Sequence, residues 1–168
     1  FSGIDVLNGD NGNDTLNGGA QSDTLNGGAN DDDLIGQDGD DTLSGGSGVD
    51  AVSYTSSESG VTVDLSAGTA RGEGNDQLND FEEVFGSRFD DLIKGDGRDN
   101  WFHGGLGDDT LLGGAGVDTV SYVHAAGGVT VNLATGVATG EGADHLSGIE
   151  AIVGTNFADT LIGDAAAN

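Results

Sequence analysis

Six aspartates, Asp5, Asp14, Asp23, Asp32, Asp41 and Asp50, recur every nine residues without a missed step. Two places after each stands an apolar residue: Leu7, Leu16, Leu25, Leu34, Leu43 and Val52. Glycines run ahead of them in the same phase at Gly9, Gly18, Gly27, Gly36 and Gly45, and Gly19, Gly28 and Gly46 often fill the next place. Carboxylates spaced this way beside glycine-rich backbone can gather the oxygens a hard divalent cation needs, about six to eight of them. Metals that prefer thiolate or imidazole find no cysteine and three scattered histidines, His103, His124 and His145, which read as surface residues.

The elements that must position these acids follow from the period. A helical face recurs about every 3.6 residues and a simple strand about every two. A fixed nine fits neither, and marks a coil whose half-turn is one strand and one loop. In each unit the opening glycines are turn residues that permit positive φ. The closing triplet is a minimal strand with its apolar residue inward, and Thr15, Thr24 and Thr42 suit its exposed face.

Composition limits the alternatives. Thirty acidic residues face four basic ones, for a net charge of −26, and 33 of 168 residues are glycine. Such charge with few apolar residues marks a chain that cannot fold by apolar burial alone. Strict phasing of Asp and Leu excludes a disordered linker, so a cation must supply the missing free energy. Nucleic acid is excluded as a partner because polyanions repel, and no apolar run reaches the length for membrane insertion.

The chain divides into five stretches. Residues 1–52 form the first array and residues 53–90 an excursion with strands. In the excursion residues 61–65 alternate, Gly68 and Gly72 mark turns, and residues 81–85 offer another strand. Residues 91–120 form a second array on Asp91, Asn100, Asp109 and Asp118, with Ile93, Phe102, Leu111 and Val120 inward. Residues 121–158 are a second excursion, and residues 159–168, with Asp159, begin a third array. Residues 50–100 align without gaps onto 118–168, so the chain reads as a fragment of a longer tandem.

The nonapeptide G-G-x-G-x-D-x-U-x resembles the RTX (repeats-in-toxin) unit of type I secreted bacterial proteins. Residues 5–52 and 91–120 carry it best. The resemblance implies an all-β, right-handed parallel β-roll or β-solenoid, with several Ca²⁺ ions between turn loops, interrupted here by two homologous excursions. One turn would be two repeats, placing Asp5, Asp23 and Asp41 on one edge and Asp14, Asp32 and Asp50 on the other. It implies side-chain ligands at these six and at Asp91, Asn100, Asp109, Asp118 and Asp159, with Asp76 and Asp144 less secure. Carbonyls would come from Gly12, Gly19, Gly28, Gly39, Gly46, Gly48, Gly105, Gly107, Gly114 and Gly116. Gln21, Asn30 and Gln37 depart from the glycine pattern, and the neutral Asn100 should hold its ion more weakly.

Other constellations are weaker. The pairs Asp40 with Asp41 and Glu82 with Glu83 have glycosidase residue types, but solvated or metal-bound acids are the simpler reading. Glu82 and the aligned Glu150 suit a structural or accessory-ligand role. Arg71, Arg88, Lys94 and Arg98 are the only cations and could neutralise the first excursion. Phe81, Phe85, Phe89 and Phe102 read as core, with Trp101 pointing outward.

The expected function is a calcium-binding structural module, not itself an enzyme, in a secreted, extracellular or cell-surface bacterial protein. Its expected setting is a long stalk, an adhesin or a self-associating extracellular fibre, with copies of itself or neighbouring modules as partners. The alternatives are a C-terminal roll on a secreted protease, lipase or epimerase, whose catalytic domain lies elsewhere, or a glycan-binding roll. Ice binding is disfavoured because the third loop position reads Asn11, Ala20, Ala29, Asp38, Ser47.

Overall fold

A computed structural model describes residues 2–165. The last three residues of the expected third array lie outside the described residues. Every regular element among those described is a strand. In the first array these are β1 (Val6–Asn11), β2 (Thr15–Ala20), β3 (Thr24–Ala29), β4 (Asp33–Asp38), β5 (Thr42–Ser47) and β6 (Ala51–Ser53). Odd strands pair in parallel with odd ones and even with even, so Leu7 lies beside Leu25 and Leu25 beside Leu43. Leu16 lies beside Leu34, and Leu34 beside Val52. The nine-residue period thus becomes a coil of two repeats per turn, with one wall built from each half.

The strands β1 to β5 are longer than the expected triplet. They run on through the first loop positions, because those positions stay in register with the turn above: Gly28 pairs with Asp10 and with Gly46. The stacking is close. A Cβ on Gly46 would run into the carbonyl oxygen of Gly28.

The excursions alter one wall only. The first carries β7 (Thr62–Asp64), β8 (Thr69–Arg71), β9 (Asn75–Asn79) and β10 (Glu83–Phe85). β9 pairs in parallel with β5, β8 is antiparallel to both β9 and β7, and β7 pairs in parallel with β11 (Leu92–Lys94). An antiparallel meander therefore replaces a single strand, a feature a purely parallel roll does not contain. It turns at Gly68 and Gly72, with φ of 65° and 143°. In the other wall β10 continues directly from β6 to β12 (Trp101–His103).

The second array and excursion repeat this plan with β13 (Thr110–Leu112), β14 (Thr119–Ser121), β15 (Thr130–Asn132), β16 (Val137–Thr139), β17 (Ala143–Ser147), β18 (Ala151–Val153) and β19 (Thr160–Ile162). Among the described residues one wall has twelve strands and the other seven.

The core is one apolar stack between the walls. Leu34, Val52, Val84, Ile93, Phe102, Leu111 and Val120 are fully buried. Each such side chain contributes roughly 2 kcal/mol by leaving water. Tyr54, Val61, Val63, Ala70 and Phe81 extend the core into the first excursion, as Tyr122, Val129, Val131, Ala138 and Ile149 do in the second. Two aromatic assignments need correction. Phe85 is only partly buried and stacks on His103 at 4.2 Å between centroids, and Phe89 is exposed. Both sit on the outward phase of the strand or in a loop. Trp101 is exposed, as expected beside Phe102. His103 is buried rather than on the surface, with Nε2 at 2.7 Å from Glu83 Oε1.

Candidate metal centre

The turns of the coil place the sixth-position acids in two columns. On one edge the Asp5 N–H donates to Asp23 Oδ1, and the Asp23 N–H to Asp41 Oδ1, at 2.7 and 2.8 Å. On the other edge the Asp14 N–H donates to Asp32 Oδ1, and the Asp32 N–H to Asp50 Oδ1, at 2.8 and 2.9 Å. Each partner lies 18 residues away, one turn of the coil. The columns continue through the rest of the chain. Asp41 donates to Asp76, Asp91 to Asp109, Asn100 to Asp118 and Asp109 to Asp144. Glu82 and Glu150 serve as acceptors for the Asp50 and Asp118 N–H groups, the structural one of the two roles their alignment suits.

One carboxylate oxygen is therefore spent on the ladder, and the other separates the acids into two groups. In Asp14, Asp23, Asp32, Asp41, Asp50, Asp109 and Asp118 the Oδ2 is buried and has no hydrogen-bond partner. Leaving a buried charged oxygen unpaired costs several kcal/mol, so such atoms call for a cation. Burial, opposed by the ladder bond and reinforced by neighbouring acids, pushes Asp41 up to about 6 and Asp109 to about 7. Asp50 and Asp118 are raised for the same leading reason.

The space around these oxygens is shaped by missing side chains. A Cβ on Gly9 would meet Gly27 O at 2.5 Å and Asp14 Oδ2 at 2.8 Å. One on Gly27 would meet Asp32 Oδ2 at 2.5 Å and Gly45 O at 2.6 Å. The first-position glycines thus leave a gap where a carboxylate oxygen and a carbonyl oxygen face each other. Sequence reasoning missed the carbonyls of Gly27 and Gly45. The invariance of the first-position glycine across the array was the available signal.

All ten glycines assigned a carbonyl role have positive φ, from 97° at Gly105 to 154° at Gly48. The departures in the first array adopt it too: Asp10, Gln21, Asn30 and Gln37 have φ between 67° and 79°. Substitution there keeps the loop conformation at a cost of about 1 kcal/mol per residue.

In the second group the remaining oxygen is already taken. Asp91 Oδ2 accepts the Ser87 N–H at 2.6 Å, its Oδ1 accepts the Ser87 hydroxyl, and the Ser87 Oγ accepts the Phe89 N–H. Asp159 makes the same set with Thr155 and Phe157. Asn100 Oδ1 accepts the Asp96 N–H at 2.9 Å, and Asp96 Oδ1 accepts the Arg98 N–H. These three loops close on themselves, and none of their second- or fourth-position residues has positive φ. Beside one of them Arg98 pairs with Glu82 at 2.7 Å and Asp80 at 3.0 Å, a resident cation at that edge. Lys94 similarly pairs with Asp64.

Asp76 and Asp144 are occupied differently. Their Oδ2 atoms accept the hydroxyls of Tyr54 and Tyr122, at 2.9 and 2.7 Å. Burial, reinforced by the neighbouring acids, holds both phenols above their ordinary range, so they remain donors.

The donors fit a hard cation. They are carboxylate and carbonyl oxygens, and among the described residues no three His, Cys, Asp or Glu side chains converge as a metal cluster. A site here has to mix acids with backbone oxygens, as calcium sites do. The model of a protein family described as the RTX calcium-binding nonapeptide repeat matches residues 1–34, 26–54, 85–120 and 146–168, more than half of the chain.

Proposed function

The chain belongs to the RTX calcium-binding nonapeptide-repeat family, and from that premise we propose that it is a structural module that folds as Ca²⁺ enters its turns outside the cell. The observation that carries this reading is the row of buried, unpartnered Oδ2 atoms at Asp14, Asp23, Asp32, Asp41, Asp50, Asp109 and Asp118. Calcium supplies the positive charge that makes their burial favourable, so its binding free energy becomes folding free energy. The chain's own residues orient the acids: each ladder N–H fixes one oxygen and leaves the other for the ion. Asp5, at the outer turn, completes the first column. Gly12, Gly19, Gly28, Gly39, Gly46, Gly48, Gly105, Gly107, Gly114 and Gly116 would add carbonyls.

In this reading Asp91, Asn100, Asp159, Asp76 and Asp144 are struts held by protein hydrogen bonds, in place of the ligand role the resemblance implied. RTX repeats are typical of secreted bacterial proteins, where low internal and high external calcium would time the folding. The tandem plan supports a stalk or fibre, since the Tyr54–Asp76 and Tyr122–Asp144 contacts recur one module apart.

Circular dichroism in EDTA and then in millimolar calcium tests the proposal. The expected result is a disordered spectrum converting to β-structure. A chain already fully β-structured in EDTA would overturn it.

A further inference from the structure

The nonapeptide pattern runs out of free acids where the first array meets the excursion. Asp41 keeps a buried, unpartnered Oδ2, yet the next acid in its column, Asp76, has its Oδ2 bonded to Tyr54. The loop carrying Asp76 brings a second carboxylate within electrostatic reach of Asp76 and Asp41. Glu73 is at its third position, where it stacks above Asp38. The Gly39 N–H donates to the Glu73 carbonyl at 3.1 Å, continuing the series in which Gly12 bonds Ala29, Gln21 bonds Asp38 and Asn30 bonds Ser47. Glu73 Oε1 has a long bond from the Ser56 hydroxyl at 3.4 Å, and its Oε2 is buried with no partner. Asp38, Asp76 and Asp41 are the charges that act on it, all of its own sign.

We propose that Glu73 is a calcium ligand, holding with Asp41 a cation at the junction of array and excursion that the nonapeptide motif does not encode. The proposal rests on the calcium-dependent reading above. Asp41 is 1% exposed, so its free oxygen cannot turn to water, and a Cβ on Gly36 would press directly against it. Two unpartnered carboxylate oxygens buried within electrostatic reach of each other stay so only if a cation or a proton neutralises them. Loop backbone oxygens complete a set of hard donors. In the second module Glu141 stands at the same backbone position, with the Gly107 N–H donating to its carbonyl.

Glutamine mimics a protonated glutamate but lacks the charge a calcium ligand brings, so Glu73→Gln separates the two possibilities. Calcium stoichiometry is counted by native mass spectrometry, and affinities are measured by calorimetry on the 168-residue chain. Glu73→Gln should bind one ion fewer than the parent and need more calcium to fold. An unchanged count and folding midpoint would overturn the proposal and leave Glu73 as a buried neutral acid. If Glu73→Gln does not fold at saturating calcium, Glu73→Asp decides: roughly tenfold weaker binding at one site supports the assignment, and unchanged affinities at all sites overturn it. A parent chain that binds no calcium would instead overturn the calcium-dependent reading itself.

Discussion

The loops at residues 27–32 and 86–91 hold the same ladder and end on the same residue type, yet they finish differently. In the first, Asp32 gives one oxygen to the Asp14 N–H and keeps the other buried and unpaired. In the second, Asp91 gives one to the Val61 N–H and to the Ser87 hydroxyl, and the other to the Ser87 N–H. The backbone accounts for the difference. Gly28 and Asn30 take positive φ and the Asn30 N–H goes to the Ser47 carbonyl, whereas Ser87 and Phe89 are without positive φ and the Ser87 N–H turns onto the acid. Loops of the first kind leave a carboxylate oxygen buried without a donor, and in loops of the second kind the loop's own N–H meets that oxygen.

Substitution of the two acids should break this comparison most visibly. Asp32→Ala removes the acceptor for the Asp14 N–H together with the ion ligand proposed above. It should cost about 3 kcal/mol or more in calcium and lower the ion count. Asp91→Ala removes three hydrogen bonds and should cost about 2–3 kcal/mol with the count unchanged. Denaturant titration at saturating calcium with native mass spectrometry reads both quantities. Loss of an ion from Asp91→Ala would erase the distinction.

A smaller effect is expected from converting one kind of loop into the other. Asn100→Asp alone puts a second oxygen where the buried Nδ2 has no partner, but it should gain no ion, because the Asp96 N–H keeps the loop closed on Oδ1 and Arg98 already supplies positive charge at that edge. Adding Asp96→Gly and Arg98→Gly removes the side-chain turn and the resident cation, and frees the backbone for positive φ. That triple variant should bind one ion more than the single one, by the same count.

The smallest effect is that of pH without metal. Asp41 and Asp109 titrate in the folded chain at about 6 and about 7, above the ordinary value of 3.8. The folded form therefore holds more protons between pH 4 and 7, and stability falls as pH rises through that window. In EDTA, acidification from pH 7 towards 4.5 should increase β-structure by circular dichroism. Calcium affinity should move the opposite way, since protons compete for the same oxygens.

Much of this could be read from the residues. A period of nine locked to Asp5 through Asp50 announced a coil of strand and loop, and the family resemblance implied the turn of 18 residues and the two edges that the ladder shows. The closed loops were not legible. Position two reads Ser87, Asp96 or Thr155 in these, but Asp10 and Gln37 are also non-glycine there and keep the open form. The choice rests on which hydrogen bond the backbone makes, and a single substitution does not specify that. The family match covers both kinds of loop as well, including residues 86–91 and 95–100. The meander was hidden for another reason. Residues 61–65 and 75–79 announce strands but not their order, and β9 lies beside β5 only because the chain crosses over and returns through β8. Phe85 was misplaced because an apolar residue on an outward phase looks the same in sequence as one facing in.

The unequal walls have a mechanical consequence. Each excursion adds two more strands to one side than to the other, lengthening that side by about 10 Å at the usual strand spacing. Because one core joins the two walls, that extra length has to be taken up at the excursion itself, where three strands of the meander stand against the single β10 opposite.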